Sequence, residues 1–158
     1  MRGRHRVAVL VAATAVLAGV PVVAAYAGDG TSTTTKSLGS WNIYDNAGHV
    51  VVKITNASVV WGRNSIEKIE WVTIKATFRD ARSDGQCAKP KFQTVNVDTV
   101  DPGGSFPDVK QSTTYTECNG VNVTKSKTYD ITGKSSINAA GIDVTYNGAD
   151  HYKYATKF

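Results

Sequence analysis

The chain reads as all-β: an antiparallel β-sandwich of about seven or eight strands, with a small β-barrel as the alternative closure. Three observations predict this. From residue 28 onward the sequence holds 21 Val and Ile but one Leu, Leu38, and its only Met is Met1. Helices draw on Leu, Met, Ala and Glu, whereas β-branched and aromatic side chains favour strands. Apolar residues then alternate with polar ones, most strictly over Glu70–Arg79. Clusters of Asn, Asp, Gly and Pro punctuate these runs at short intervals.

The elements follow in order. Arg2, Arg4 and Arg6 precede an apolar run from Val7 to Val23, and Ala25-Tyr26-Ala27 follows it. A basic start, an apolar stretch and a small-x-small triplet make a secretory signal peptide over residues 1–27, cut after Ala27. The apolar run is about 17 residues and contains Pro21, which is short for a membrane span. Leu17-Ala18-Gly19-Val20 offers no Cys to acylate, and the arginines never pair as a twin-Arg signal would. The leader has a bacterial look. A released, extracellular product without a stable membrane anchor is expected.

Residues 28–38 are rich in Thr and Ser and read as a disordered lead, with a single β domain over 39–158. Trp41–Tyr44 and His49–Thr55 read as a hairpin about the Asp45–Gly48 turn, with Val50, Val52 and Ile54 on one face. Val59–Trp61 is a brief strand. Ser65–Ile69 is a loop or strand start. In Glu70–Arg79, Val72, Ile74, Ala76 and Phe78 share one face and Trp71, Thr73, Lys75 and Thr77 the other. Strict alternation of this kind means one buried and one wet face. After the Asp80–Pro90 loop, Phe92–Val100 is a strand with Val95 and Val97 inward. Asn119-Gly120, between Val109–Cys118 and Val121–Asp130, and Asn147-Gly148, between Ile142–Tyr146 and His151–Thr156, are both type I′ hairpin signals.

Composition narrows the partners. The chain has 18 Lys and Arg against 13 Asp and Glu. Arg2, Arg4 and Arg6 lie in the leader, which leaves 15 against 13, a net charge of +2. The basic residues are scattered, so neither a nucleic-acid nor an anionic-membrane partner is expected. Cys87 and Cys118 are the only thiols, and an even count in an exported chain reads as a disulfide. Without C-x-x-C spacing or a neighbouring His, neither Cys reads as a metal ligand or a nucleophile, and no cofactor is expected.

Motif-like strings fail on their details. Asp80–Gly85 begins like an EF-hand, yet a cation, Arg82, stands at the third position and Lys91 at the twelfth. Gly103-Gly104-Ser105-Phe106-Pro107 ends on Pro where a nucleophile elbow needs Gly, and Ser65-Ile66-Glu67-Lys68 lacks the partner motifs of its enzyme class. Asp143 and His151 would point to opposite faces of the last hairpin, so no Ser-His-Asp triad assembles there. Glu67, Glu70 and Glu117 give no carboxylate pair at a working distance. Asp98, Asp101 and Asp108 cluster around one loop and are the best candidates for a surface calcium. Asn56-Ala57-Ser58 and Asn122-Val123-Thr124 match glycosylation sequons, which a bacterial chain makes coincidental.

What remains is a non-catalytic binding or interaction module, with a polysaccharide or an extracellular protein as partner. Trp71, on the polar side of its strand, and Tyr152 with Tyr154, sharing one face of the last strand, are candidate carbohydrate-stacking rings. The Asp101–Asp108 loop, with Pro102, Phe106 and Pro107, is a candidate interaction loop of the kind a protease inhibitor presents. A small secreted hydrolase is the remaining alternative.

Overall fold

The computed structural model describes residues 32–66, 68–82, 85–100, 107–118 and 120–157. These form eight strands: β1 (Ser32–Tyr44), β2 (Val50–Arg63), β3 (Ile69–Asp80), β4 (Lys89–Val100), β5 (Pro107–Thr114), β6 (Val123–Asp130), β7 (Ala139–Tyr146) and β8 (Ala149–Thr156). They pair antiparallel into two four-stranded sheets, ordered β1-β2-β3-β6 and β5-β4-β7-β8. No helix occurs among the described residues, so the fold is all-β and has the layering of a sandwich. The leader and cleavage site lie outside the described residues.

The core lies between the sheets. The first contributes Val52, Ile54, Val59, Trp61, Val72, Ile74 and Phe78; the second contributes Phe92, Ala140, Ile142, Val144 and Tyr146. β3 buries the face its alternation predicts, with Val72, Ile74, Ala76 and Phe78 inaccessible to solvent. Phe92 packs on Phe78 and Tyr115 with ring centroids 5.9 and 5.3 Å away. A buried hydroxyl spans the layers: Tyr129 of β6 donates to the Phe92 carbonyl of β4 at 2.6 Å. That bond satisfies a phenol that burial holds above its ordinary pKa.

β2 is one long strand rather than the two expected pieces. Val52 and Ile54 face inward before Asn56, and Ala57, Val59 and Trp61 face inward after it. The inward parity therefore flips. Asn56 takes a positive φ of 53°, and the pairing of Thr55 and Ser58 with β3 shifts there. β1 flips alongside it at Gly39, where φ is 78°. Each is a β-bulge, whose extra residue restores the apolar set to the core.

Several expectations are corrected. The Thr/Ser-rich stretch is strand from Ser32 onward and pairs with Ser58–Arg63. Its threonines are polar but β-branched, and β2 supplies a partner for them. Val97 is exposed, because the β4–β5 pairing becomes irregular beyond Asn96. Asn119-Gly120 does not close a hairpin: β5 pairs with β4, whereas β6 joins β3 in the opposite sheet. The two backbone bonds between Ala88 and Glu117, both 2.9 Å, hold the chain where it crosses. The Cys87–Cys118 disulfide, with Cα atoms 4.4 Å apart, closes the same point. It thus staples the β3–β4 connection to the β5–β6 connection. Asn147-Gly148 is the two-residue hairpin expected, with φ values of 49° and 77° and Tyr146 opposite Ala149.

Candidate functional site

The outward face of the first sheet carries a wide, open depression. Trp71 emerges there because Val72 and Ile74 point into the core, and it is half-buried. On its β2 side stands Gly62. A Cβ on Gly62 would lie 1.9 Å from Cε2 of Trp71, so the indole rests directly on bare backbone. Glycine inside a strand marks this sort of close approach. On its β6 side stands Asp130, and Thr128 stands opposite Thr73.

These groups line an open hollow of roughly 460 Å³ with Glu70 and Thr132 at its rim. The Thr73 and Thr128 hydroxyls are 2.7 Å apart. The Asp130 carboxylate accepts the Thr132 N–H at 2.9 Å. That backbone hydrogen bond holds its pKa below the usual carboxylate value, so Asp130 is charged at neutral pH. Glu70 accepts from the Asn64 amide at 2.8 Å. The hollow therefore offers one aromatic face ringed by hydroxyls and acceptors.

Tyr152 and Tyr154 lie on the outward face of the other sheet, so the three candidate rings do not form one site. Their centroids are 5.5 Å apart. Tyr154 covers Gly141, where a Cβ would fall 2.8 Å from its ring. Its hydroxyl donates to Oε1 of the buried Gln93 at 2.6 Å. Burial first, and the nearby Asp143 carboxylate second, push its phenol far above the ordinary value. Tyr154 is thus committed to packing, and Tyr152 is the exposed member of the pair.

Beneath these rings Lys91 bonds Asp143 at 3.0 Å and approaches Asp150 at 3.6 Å. Asp143 stands opposite Tyr152 and Val144 opposite His151, as the hairpin register requires, so carboxylate and imidazole face opposite ways. Burial raises the Asp143 pKa more than Lys91 lowers it, with Asp150 adding to the rise. Such a group favours folding while protonated, and that contribution is lost as pH rises from the ordinary carboxylate value through the raised one. Burial lowers the Lys91 pKa, but its carboxylate partners raise it more, which stabilises the fold below the lysine range as long as those carboxylates stay ionised. Lys91→Met should therefore cost about 1–2 kcal/mol at neutral pH and less in acid, where Asp143 protonates. Thermal melts across pH check this, with Asp143→Asn expected to lie close to the parent.

The remaining candidates are dispersed. Asp101, Pro102 and Phe106 of the proposed interaction loop lie outside the described residues, while Pro107 and Asp108 open β5 opposite Val100 and Asn96. Of the proposed calcium ligands, Asp98 accepts from Asn138 at 2.6 Å and Asp108 pairs with Lys110. Asp101 is outside the described residues, among which no three His, Cys, Asp or Glu side chains gather as for a metal. Glu117 is buried and pairs with Lys125 at 2.9 Å. His49 meets Asp45 at 3.2 Å, and Arg82 pairs with the same carboxylate.

Sequence reading missed Gly62, Asp130 and Thr132 as partners of Trp71. The glycine carried a signal, being isolated within a strand beside Trp61. Asp130 and Thr132 carried none, because β6 reaches β3 only after the chain has built two strands elsewhere. Comparison with protein-family models, with curated proteins and with solved structures finds no match.

Proposed function

We propose that this chain is an exported, non-catalytic binding module that holds a carbohydrate on the outer face of its first sheet. One observation carries the reading: the Trp71 indole packs against Gly62 in an open hollow lined also by Glu70, Thr73, Thr128, Asp130 and Thr132. Sugar rings present C–H faces that pack on an aromatic plane, and edge hydroxyls that bond to acceptors and other hydroxyls. The leader-like N-terminus and the disulfide support export, because disulfides persist in oxidising compartments.

The reading is tested by pull-down on insoluble polysaccharides and by titration with soluble oligosaccharides, followed by tryptophan fluorescence. Trp71→Ala should weaken binding at least about tenfold, as truncating an aromatic anchor does. Gly62→Ala should do nearly the same with the indole still present, because the new Cβ evicts the ring from its seat. Binding that survives both substitutions, or no binding by the parent protein, rejects the reading.

A further inference from the structure

The ion pair on the outward face of the second sheet has the geometry of two reactants. Lys91 of β4 and Asp143 of β7 stand directly opposite each other in the antiparallel ladder, so both side chains leave the same face. Nζ lies 3.0 Å from Oδ2 of Asp143 and 3.6 Å from Oδ1 of Asp150, which β8 supplies. Among the described residues Lys91 thus reaches two carboxylates, whereas Lys125, 2.9 Å from Glu117, reaches one.

Asp143 is 6% exposed, and its second oxygen, Oδ1, is buried with no hydrogen-bond partner among the described residues. A carboxylate satisfied at one oxygen is costly to keep charged in such surroundings. Burial is the largest influence on both groups, and it acts toward the neutral form of each: downward on the Lys91 pKa and upward on that of Asp143. The carboxylates outweigh burial at Lys91, so the ionised pair is the resting state. The neutral pair is reached by passing one proton along the 3.0 Å hydrogen bond.

We infer that Lys91 and Asp143 condense to an intramolecular amide that joins β4 covalently to β7. The neutral Nζ attacks Cγ of the protonated Asp143 and forms the N–Cγ bond. Asp150 takes a proton from that nitrogen and returns it to Oδ2, the Cγ–Oδ2 bond breaks, and Oδ2 leaves as water. An ammonium and a carboxylate enter; a neutral amide and one water result, and Asp150 ends as it began. The Thr145 hydroxyl donates to Oδ1 of Asp150 and holds it for this task.

Adjacent strands make the condensation favourable, because groups held in reacting geometry behave as if at an effective concentration of about 10⁵–10⁸ M. The product removes two charges from a partly dry face, and Oδ1 remains as a neutral carbonyl. The bond spans 52 residues of sequence and lies between the two inner strands of its sheet. Unlike the Cys87–Cys118 bond it survives reductant. The ion-pair cost given above for Lys91→Met belongs to the uncondensed chain, and the amide adds to it.

Mass spectrometry of the purified full chain, incubated at neutral pH and then reduced, alkylated and cut with trypsin, tests this. The chain should lack the mass of one water. Trypsin should fail at Lys91 and release one branched peptide, residues 83–110 joined to 135–153. Lys91→Arg keeps the cation without a nucleophilic amine and should restore the full mass. Lys125→Arg should leave the branched peptide in place. Asp150→Asn should slow its formation at least about 100-fold, the weight of a positioned acid–base group.

The parent chain decides the matter even where a variant fails to fold. Two linear peptides of full mass, cut at Lys91, overturn the inference. So does water lost at another place, such as a succinimide at Asp84-Gly85. A branched peptide that forms as fast in Asp150→Asn overturns the part given to Asp150. None of these outcomes bears on the Trp71 reading.

Discussion

Trp61→Ala is expected to destabilise the protein by about 3–5 kcal/mol, the range for deleting a fully buried large aromatic. Trp61 is completely inaccessible to solvent and is the largest side chain in that state among the described residues. It faces inward only because the bulge at Asn56 has reversed the sidedness of β2. Its neighbours across β3 and β1, Val72 and Thr34, belong to hydrogen-bonded strands that cannot collapse into the vacated volume. Trp61→Phe should cost far less, since the indole N–H has no acceptor among the described residues and nothing polar is lost with it. Urea unfolding of the three proteins gives both differences. A cost for Trp61→Ala no larger than that for Trp61→Phe would mean the core is loosely packed.

Removing the disulfide should have an effect of similar size by a different route. The bond joins residues 31 apart in the chain. On the chain-entropy account, releasing a loop of that length from the unfolded state costs about 3.7 kcal/mol. Replacing both cysteines with serine should therefore lower the melting temperature by roughly 10–15 °C. The Ala88–Glu117 backbone pair beside it should persist in the folded protein, so the spectrum at low temperature should be unchanged. Differential scanning calorimetry of the oxidised, reduced and double-serine forms checks the prediction. Equal melting temperatures would show that the crossing point is held by the backbone alone.

Local chemistry was legible in the sequence to the extent that it stayed local. The alternation of β3 named its buried and wet faces residue by residue, and thereby placed Trp71 outside. Asn147-Gly148 announced both its turn and its register, because positive φ at two successive positions is a demand that few dipeptides meet. Asn119-Gly120 made the same announcement and misled. A turn signal states that the chain can reverse, not which strand awaits it, and here β3 outcompeted β5 for β6. Ser32–Thr35 misled in the opposite sense, since hydroxyl-rich composition suggests a linker while branching at Cβ suits a pleated edge.

The candidate site divides along the same line. Trp71 could be found from its own strand. Asp130 comes from a strand brought alongside by topology, and Thr132 from the turn just beyond it. No periodicity records such a gathering, because each residue taken singly is an ordinary surface Asp or Thr.

The position of β6 at the outer side of β3 also sets a timetable for assembly. During synthesis β1, β2 and β3 emerge first and can zip together, but the far edge of β3 has no neighbour until the entire β4–β5 hairpin has been made. In that interval a long row of unsatisfied amides and carbonyls is open to any extended segment nearby, including one from another nascent chain. Nascent chains stalled before Val123 should be the aggregation-prone species, and those long enough to expose Asp130 should not.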